Sequence, residues 1–247
     1  MIKMVVSDVD GTLLQKGEKT VNDELMKIIE KLKSKNIIFA VASGRHLSEL
    51  KDIFRNSKDI YYICSDGGCI EFGGDIIYHK DIDNYIIDNL KYREDYIFQC
   101  SKYTYYNGKD IRLLNILKNK YKDNLRLTYK ISNIVKIIKY GAGYSETPPC
   151  TYEIYKDSNW REWIKNGTSK GNALSFLQSR LGVKVNETLV IGDNFNDLSM
   201  MRYAGEKLCM ESSPPQVKLM CGRVCYKIED ELLKTGGSDL YHHPNVN

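Results

Sequence analysis

The first fourteen residues, MIKMVVSDVDGTLL, constrain the fold of this chain more strongly than any other segment. Residues 2–6 form a short, mostly apolar run, which predicts a strand buried on both faces of a parallel sheet. The polar segment DVDGT follows at residues 8–12, and ligands of open α/β sheets bind at this end of the strands. Asp8 and Asp10 would repel each other without a cation, and Mg²⁺ takes one or two carboxylates together with phosphate oxygens and waters. In the alternative interpretation, the two residues only form a turn in which Gly11 supplies a positive φ.

Composition narrows the possible classes of protein. The chain has 247 residues, enough for one large core or two moderate ones. No segment approaches the ~20 apolar residues of a membrane span, and because the first residues open a predicted strand we expect no signal peptide. A net charge of +4 is too small to indicate a nucleic acid partner.

The chain contains seven cysteines, an odd number scattered mainly through apolar segments. This pattern predicts free, mostly buried thiols in a reducing compartment, and therefore a cytoplasmic protein. A metal site at the last two cysteines is disfavoured, because no Cys or His pair with zinc spacing accompanies them. The seven residues are Cys64, Cys69, Cys100, Cys150, Cys209, Cys221 and Cys225.

The segments after the first loop are typical of repeated strand–helix units. Helices are predicted at 22–35, with Asn22 as its cap, and at 46–56; strands are predicted at 37–42 and 60–64, followed by a hairpin at 69–78. The segment ASGR places Ser43 at the end of the second strand. Its hydroxyl can cap the next helix, or it can bind phosphate together with free backbone N–H groups. Both interpretations remain open at this point.

Residues 80–167 differ in composition from the rest of the chain. They contain twelve of the eighteen tyrosines and both tryptophans. Helices are predicted at 82–93 and 109–121, and strands at 96–100, 134–140, 151–156 and 160–165. This mixture predicts a separate α+β domain inserted between two parts of the core, residues 1–79 and 168–247.

The strand–helix pattern returns after residue 167. The segment SKG at 169–171 opens a predicted helix that extends to 181, and a predicted strand at 188–191 ends in the acidic segment GDNFND. Parallel strands place their carboxyl ends at one edge of a sheet, so we expect the acidic loops from both ends of the chain to converge on one cation. The residues expected to face this point are Asp8, Asp10, Asp193, Asp197, Lys170 and Ser43.

The segments DVDGTLL, ASGR, SKG and GDNFND, in this order, resemble the four motifs of the haloacid dehalogenase superfamily. Their spacing, with a large insertion after the second motif, is similar to that of Cof-type phosphatases. The resemblance covers roughly residues 1–79 and 165–235. It implies an α/β fold with a Rossmann-like parallel-sheet core and an inserted α+β cap domain. The segment MESSPP at 210–215 departs from the family, which usually has a loop of small residues ending in Asn-Ala there.

The resemblance also implies the roles of the candidate site residues. Asp8 would be the nucleophile that forms an aspartyl-phosphate, Asp10 the general acid and base, and Lys170 the positive charge beside them. Mg²⁺ would be held by the carboxylates of Asp8 and Asp193 and the backbone carbonyl of Asp10, with Asp197 orienting metal-bound water. Phosphate oxygens would be held, and the surrounding loops supported, by Ser43, Gly44, Arg45, Asn196 and Thr12, with Arg45 favoured slightly as a brace.

We therefore expect a Mg²⁺-dependent phosphatase whose partner is a small phosphorylated metabolite, most simply a sugar phosphate. Asp10 favours phosphate esters over carbon–halogen bonds, because only an alkoxide leaving group needs an acid. Two alternatives remain: a sugar phosphomutase, and a non-catalytic protein that binds a phosphorylated metabolite. Neither nucleic acid nor a membrane is expected as a partner, and the sequence does not indicate an oligomeric state.

Overall fold

The computed structural model describes residues 1–93, 95–128, 130–142 and 146–237. The strands of the two sheets are β1 (Met4–Ser7), β2 (Ile38–Ala42), β3 (Tyr61–Cys64), β4 (Cys69–Phe72), β5 (Asp75–His79), β6 (Tyr96–Cys100), β7 (Thr104–Tyr106), β8 (Leu125–Arg126), β9 (Ile134–Tyr140), β10 (Thr151–Lys156), β11 (Trp160–Lys165), β12 (Thr188–Gly192), β13 (Glu206–Met210) and β14 (Arg223–Cys225). The α-helices are α1 (Asp23–Ser34), α2 (Leu47–Ile53), α3 (Asn84–Leu90), α4 (Ile111–Tyr121), α5 (Lys170–Leu181), α6 (Leu198–Met201), α7 (Pro215–Met220) and α8 (Ile228–Gly236). None of the helices in these ranges is both long and apolar enough to cross a bilayer. Residues 238–247 of the predicted core lie outside the described residues.

The core is an eight-stranded sheet in the order β14-β13-β12-β1-β2-β3-β4-β5. The strands from β14 to β3 are parallel, and β4 and β5 add an antiparallel hairpin at one edge. Helices cover both faces, which explains why β1 is apolar on both sides. Val5 packs toward α1, α2 and α8, whereas Met4 and Val6 pack toward α5, α6 and α7. The predicted α/β class and parallel core are confirmed.

The second sheet lies within the predicted insertion and has the order β10-β11-β9-β6-β7-β8. Its strands pair antiparallel, except for the parallel pair of β7 and β8. Helix α3 packs on one face through Ile86 and Ile87, and α4 packs on the other through Leu113 and Leu117. We call this sheet with its two helices the cap. The exact boundaries of the cap, residues 80 and 167, remain a prediction.

The prediction that all cysteines are free and mostly buried is wrong in part. Cys64 and Cys69 form a disulfide, whereas the expected burial holds for most of the seven, with Cys150 exposed. The cause is the antiparallel pairing of β3 with β4, which sets the two cysteines directly opposite each other with their Cα atoms 5.5 Å apart. This is an ordinary separation for a disulfide. The argument from reduced thiols to a cytoplasmic protein therefore applies only to the other five cysteines.

Candidate active site

The candidate site lies at the carboxyl ends of three neighbouring strands. Asp8 follows β1, Ser43 follows β2 and Asp193 follows β12, and β1 lies between the other two strands. Because these strands are parallel, their ends meet at one edge of the core sheet. The expectation that the acidic loops from opposite ends of the chain meet at one edge is therefore confirmed.

Three carboxylates and one ammonium group form the centre of the site. Asp8, Asp193 and Asp197 each offer an oxygen, and these oxygens lie within 4.8 Å of one another. Nζ of Lys170, at the start of α5, lies 2.5 Å from Oδ1 of Asp8 and 2.7 Å from Oδ1 of Asp197. Asp8, Asp197 and Lys170 are all buried. The acidic cluster of Asp8, Asp193 and Asp197 carries three negative charges when fully ionised, and Lys170 offsets one of them.

The electrostatics of the acidic cluster favour an added cation. Burial raises the pKa of Asp8 to about 8, and the negative charges of Asp197 and Asp193 add to this effect against the attraction of Lys170. Burial and Asp197 also raise the pKa of Asp193. Burial alone would lower the pKa of Lys170, but Asp8 and Asp197 raise it well above its usual value, so the ammonium stays charged. The raised pKa values show that negative charge is unfavourable in this cluster, so a bound cation would stabilise the ionised carboxylates. Carboxylate oxygens are hard ligands, which suit Mg²⁺.

Gly11 allows the first and last acidic loops to approach each other. It has a φ of +83°, and a Cβ atom at this position would lie 2.5 Å from Oδ2 of Asp193. A larger residue would therefore clash with a predicted metal ligand and also strain the backbone. The turn explanation and the cation explanation of this glycine are thus compatible.

The Asp10 carboxylate is not one of the three that form the acidic cluster, and it pairs with Arg45. Nε of Arg45 donates to Oδ2 at 2.8 Å, and Nη2 donates to Oδ1 at 2.7 Å. This hydrogen-bonded pair raises the pKa of Arg45 despite partial burial. Arg45 also lies 3.5 Å from Glu49. The geometry agrees with Arg45 as a brace, and the role of the Asp10 backbone carbonyl as a metal ligand stays a prediction.

The other predicted phosphate-binding residues surround the same edge. Ser43 is buried, and its Oγ accepts a hydrogen bond from the backbone N–H of Arg45 at 3.2 Å. Gly44 and the exposed Asn196 both line the cavity above the acidic cluster. The hydroxyl of Thr12 is buried and lacks a hydrogen-bond partner within the described part of the chain.

A cavity of about 1220 Å³ separates the acidic cluster from the cap. The core contributes the strand-end loops, and the cap contributes β9, β10, β11 and the end of α4. The cap side chains that matter below are Lys136, Tyr155, Asp157, Trp160 and Glu162. The volume is sufficient for a small metabolite, since ligand pockets typically measure about 300–1,000 Å³.

Asp66 and Lys136 are among the residues of this cavity that sequence analysis missed. Asp66 follows β3 at the same edge of the core sheet as Asp8 and Ser43, so its position after a parallel strand could have identified it. Lys136 lies on β9 of the cap and forms an ion pair with Asp66 at 2.9 Å. No local pattern distinguishes this lysine from others in the cap.

Comparisons with known proteins agree with the motifs. The sequence model of the haloacid dehalogenase-like hydrolases matches residues 5–231. The chain belongs to this family. It is 26% identical over 234 residues to a 5-amino-6-(5-phospho-D-ribitylamino)uracil phosphatase of Escherichia coli, with 86% of each chain covered. A solved structure from Eubacterium rectale superposes with a TM-score of 0.83 at 23% identity, covering 95% of this chain and 99% of the other. A haloacid dehalogenase-like hydrolase from Bacteroides thetaiotaomicron gives a TM-score of 0.79 at 18% identity, with 95% and 100% covered.

Proposed function

We propose that this protein is a Mg²⁺-dependent phosphatase that hydrolyses a small phosphorylated metabolite through an aspartyl-phosphate on Asp8. The observation that carries the proposal is the buried contact of Lys170 with both Asp8 and Asp197, beside Asp193 in the cavity between the core and the cap. Family membership and phosphatase relatives support the reaction class.

In the first step, an Asp8 oxygen attacks phosphorus while the bond from phosphorus to the leaving oxygen breaks. Asp10 enters this step protonated and released from its ion pair with Arg45, and it gives its proton to the departing alkoxide. In the second step, Asp10 takes a proton from water, the water oxygen attacks phosphorus, and inorganic phosphate leaves as Asp8 is regenerated. Lys170 stabilises the charge on the transferring oxygens, and Arg45 holds the Asp10 carboxylate at the cavity wall.

The site fits a magnesium ion by the chemistry of its donors. Asp8, Asp193 and the backbone carbonyl of Asp10 would hold the ion, and Asp197 would orient its water. When bound, Mg²⁺ would neutralise the carboxylates and the negative charge of the phosphoryl group. Ser43, the Gly44 amide and Asn196 would bind phosphate oxygens, and Thr12 would support the loop of the nucleophile.

The cap side of the cavity supports a sugar phosphate as the substrate. The rings of Tyr155 and Trp160 lie beside the carboxylates of Asp157 and Glu162. Aromatic faces suit the C–H surface of a sugar ring, and carboxylates accept hydrogen bonds from hydroxyl groups. A cytoplasmic location remains a prediction.

The test is the Asp8→Asn variant, which keeps the shape of the side chain but removes the nucleophilic carboxylate. We expect it to abolish Mg²⁺-dependent release of inorganic phosphate from p-nitrophenyl phosphate. Asp88→Asn, on the outer helix α3 of the cap, is the matched control and should retain turnover. Unchanged turnover in Asp8→Asn would rule out the proposed nucleophile. With a sugar monophosphate, movement of phosphate between hydroxyls without release would identify a mutase.

A further inference from the structure

Lys136 is a cap residue whose ammonium group is buried among core atoms. Only 3% of its side chain is exposed. Nζ lies 2.9 Å from the carbonyl oxygen of Gly44, 2.9 Å from Oδ2 of Asp66 and 2.8 Å from Oε2 of Glu162. The first two acceptors belong to the core and the third belongs to the cap. One side chain of the cap therefore contacts two strand-end loops of the core at once.

The contact with Gly44 sets the orientation of a peptide in the proposed phosphate pocket. The carbonyl of Gly44 and the N–H of Arg45 belong to the same planar peptide unit and point in opposite directions. Because Lys136 holds the carbonyl, the N–H of Arg45 is directed at Oγ of Ser43, where it donates at 3.2 Å. The lysine thus acts on the Ser43 hydroxyl through one peptide plane.

The contact of Lys136 with Asp66 involves the loop after β3, which is also hydrogen-bonded to the segment Ser43–Arg45. The backbone N–H of Asp66 donates to the carbonyl of Ser43 at 3.0 Å, and the N–H of Ser65 donates to that of Arg45 at 2.9 Å. A Cβ atom on Gly44 would lie 3.0 Å from Oδ2 of Asp66, so the two loops are in close contact. Lys136 offsets the charge of the Asp66 carboxylate at this junction.

Glu162 holds Lys136 ready on the cap side. It lies on β11, which pairs with β9, and its second oxygen accepts from Nε1 of Trp160 at 2.7 Å. If the cap moved away from the core, Lys136 would keep Glu162 and lose Gly44 and Asp66. Burial alone would lower the pKa of Lys136, but Asp66 and Glu162 raise it above its usual value, so the group donates as a cation.

We propose that Lys136 is a positioning residue that links seating of the cap to assembly of the phosphate pocket around Ser43 and Gly44. The inference rests on the proposed function and extends it to a residue of the cap. The pocket is fully ordered only when the cap lies on the core, which restricts hydrolysis to the closed cavity. Binding of a phosphate group and closure of the cap then favour each other.

The test compares Lys136→Met with Lys139→Met. Lys139 lies on the same strand with 5% of its side chain exposed, but its contacts, Asp95 and the carbonyl of Gly141, are both within the cap. With p-nitrophenyl phosphate and Mg²⁺, we expect Lys136→Met to lower kcat/KM by about 10- to 100-fold, the usual effect of losing a charged hydrogen bond. The inhibition constant of inorganic phosphate should rise about tenfold, Lys136→Arg should recover part of the loss, and Lys139→Met should resemble wild type.

A second measurement separates this inference from the proposed function and from misfolding. Lys136→Met leaves the Glu162 carboxylate of the cap without its ion pair. The double variant of Lys136→Met with Glu162→Gln removes this charge and should therefore keep the fold. Hydrogen exchange of residues 43–46 and 65–68 should be about tenfold faster than in wild type in Lys136→Met and in the double variant. It should be unchanged in Lys139→Met. Unchanged exchange, or equal losses of activity in Lys136→Met and Lys139→Met, would overturn the positioning role. If wild-type protein shows no turnover, the proposed function fails while the exchange result still decides this inference.

Discussion

His46 is expected to make the stability of the protein depend on pH. It caps α2, directly after the Ser43–Arg45 loop, and only 1% of it is exposed. Nε2 lies 3.0 Å from the carbonyl oxygen of Cys100 in the cap, and Nδ1 accepts from the backbone N–H of Ser48 at 3.3 Å. A carbonyl can only accept, so Nε2 carries the hydrogen and Nδ1 has none. This arrangement requires a neutral ring.

The size of the effect follows from the pKa of His46. The pKa of His46 is lowered from 6.5 to about 4, mainly by burial and to a smaller extent by the positive charges of Lys120 and Lys136, while the Cys100 carbonyl acts in the opposite direction. A shift of 2.5 pH units, at about 1.36 kcal/mol each, corresponds to about 3 kcal/mol. Below pH 6.5 His46 binds a proton in the unfolded chain, but in the folded chain it stays neutral until the pH approaches 4. The contribution of neutral His46 to the free energy of unfolding is therefore complete above pH 6.5 and is lost as the pH falls to 4.

The assay compares wild type with His46→Asn, which keeps an acceptor for the helix cap but cannot titrate. Urea unfolding can be followed by tryptophan fluorescence, since both tryptophans lie on β11 of the cap, and by circular dichroism for the whole chain. The free energy of unfolding of wild type minus that of the variant should fall by about 3 kcal/mol between pH 6.5 and pH 4. A difference that stays constant over this range would refute the argument that His46 is buried in its neutral form.

Two further substitutions test the site and the cap. Gly11→Ala should raise the Mg²⁺ concentration needed for half-maximal activity by at least about tenfold, because its Cβ would lie 2.5 Å from Oδ2 of Asp193 at a strained φ of +83°; an unchanged Mg²⁺ titration would contradict this. Leu117→Ala, at a fully buried position of α4, should lower the free energy of unfolding of the cap by about 2–5 kcal/mol, whereas Ile116→Ala, at the adjacent position that is 51% exposed, should change it by less than about 0.5 kcal/mol. Equal effects in urea unfolding would contradict the packing of α4.

Much of the core could be predicted from the sequence because its signals are local. Strands β1, β2 and β12 are short apolar runs that end in polar loops. Helix α1 is capped by Asn22, whose side chain accepts a hydrogen bond from the N–H of Leu25 at 2.7 Å. The four cap strands predicted at 96–100, 134–140, 151–156 and 160–165 have the bounds of β6, β9, β10 and β11. Strand β7 was not predicted, because its three residues, Thr104–Tyr106, are too few to show an alternating pattern.

The two lysines of β9 show where local patterns stop being informative. Lys136 and Lys139 are three residues apart in an apolar strand, so they point to opposite faces, and both are buried. Lys136 faces Asp66 in a strand-end loop of the core, and Lys139 faces Asp95 within the cap. Only the docking of the cap on the core distinguishes them. The disulfide of Cys64 with Cys69 is a similar case, because it depends on the pairing of β3 with β4 rather than on cysteine spacing.

The contacts within the acidic cluster also divide its members by role. Asp197 is fully buried; one oxygen accepts from Lys170, and the other accepts from the backbone N–H groups of Asp193 and Asn194 at 2.9 and 3.0 Å. These bonds occupy both of its oxygens and fix the loop in place. Asp8 and Asp193 are different, because burial and neighbouring charge raise both of their pKa values. A cation beside Asp8 and Asp193 offsets the repulsion that Asp197 exerts on both carboxylates. Asp8 and Asp193 therefore remain the proposed direct metal ligands, and Asp197, which is proposed to orient metal-bound water, is fixed behind them by these bonds.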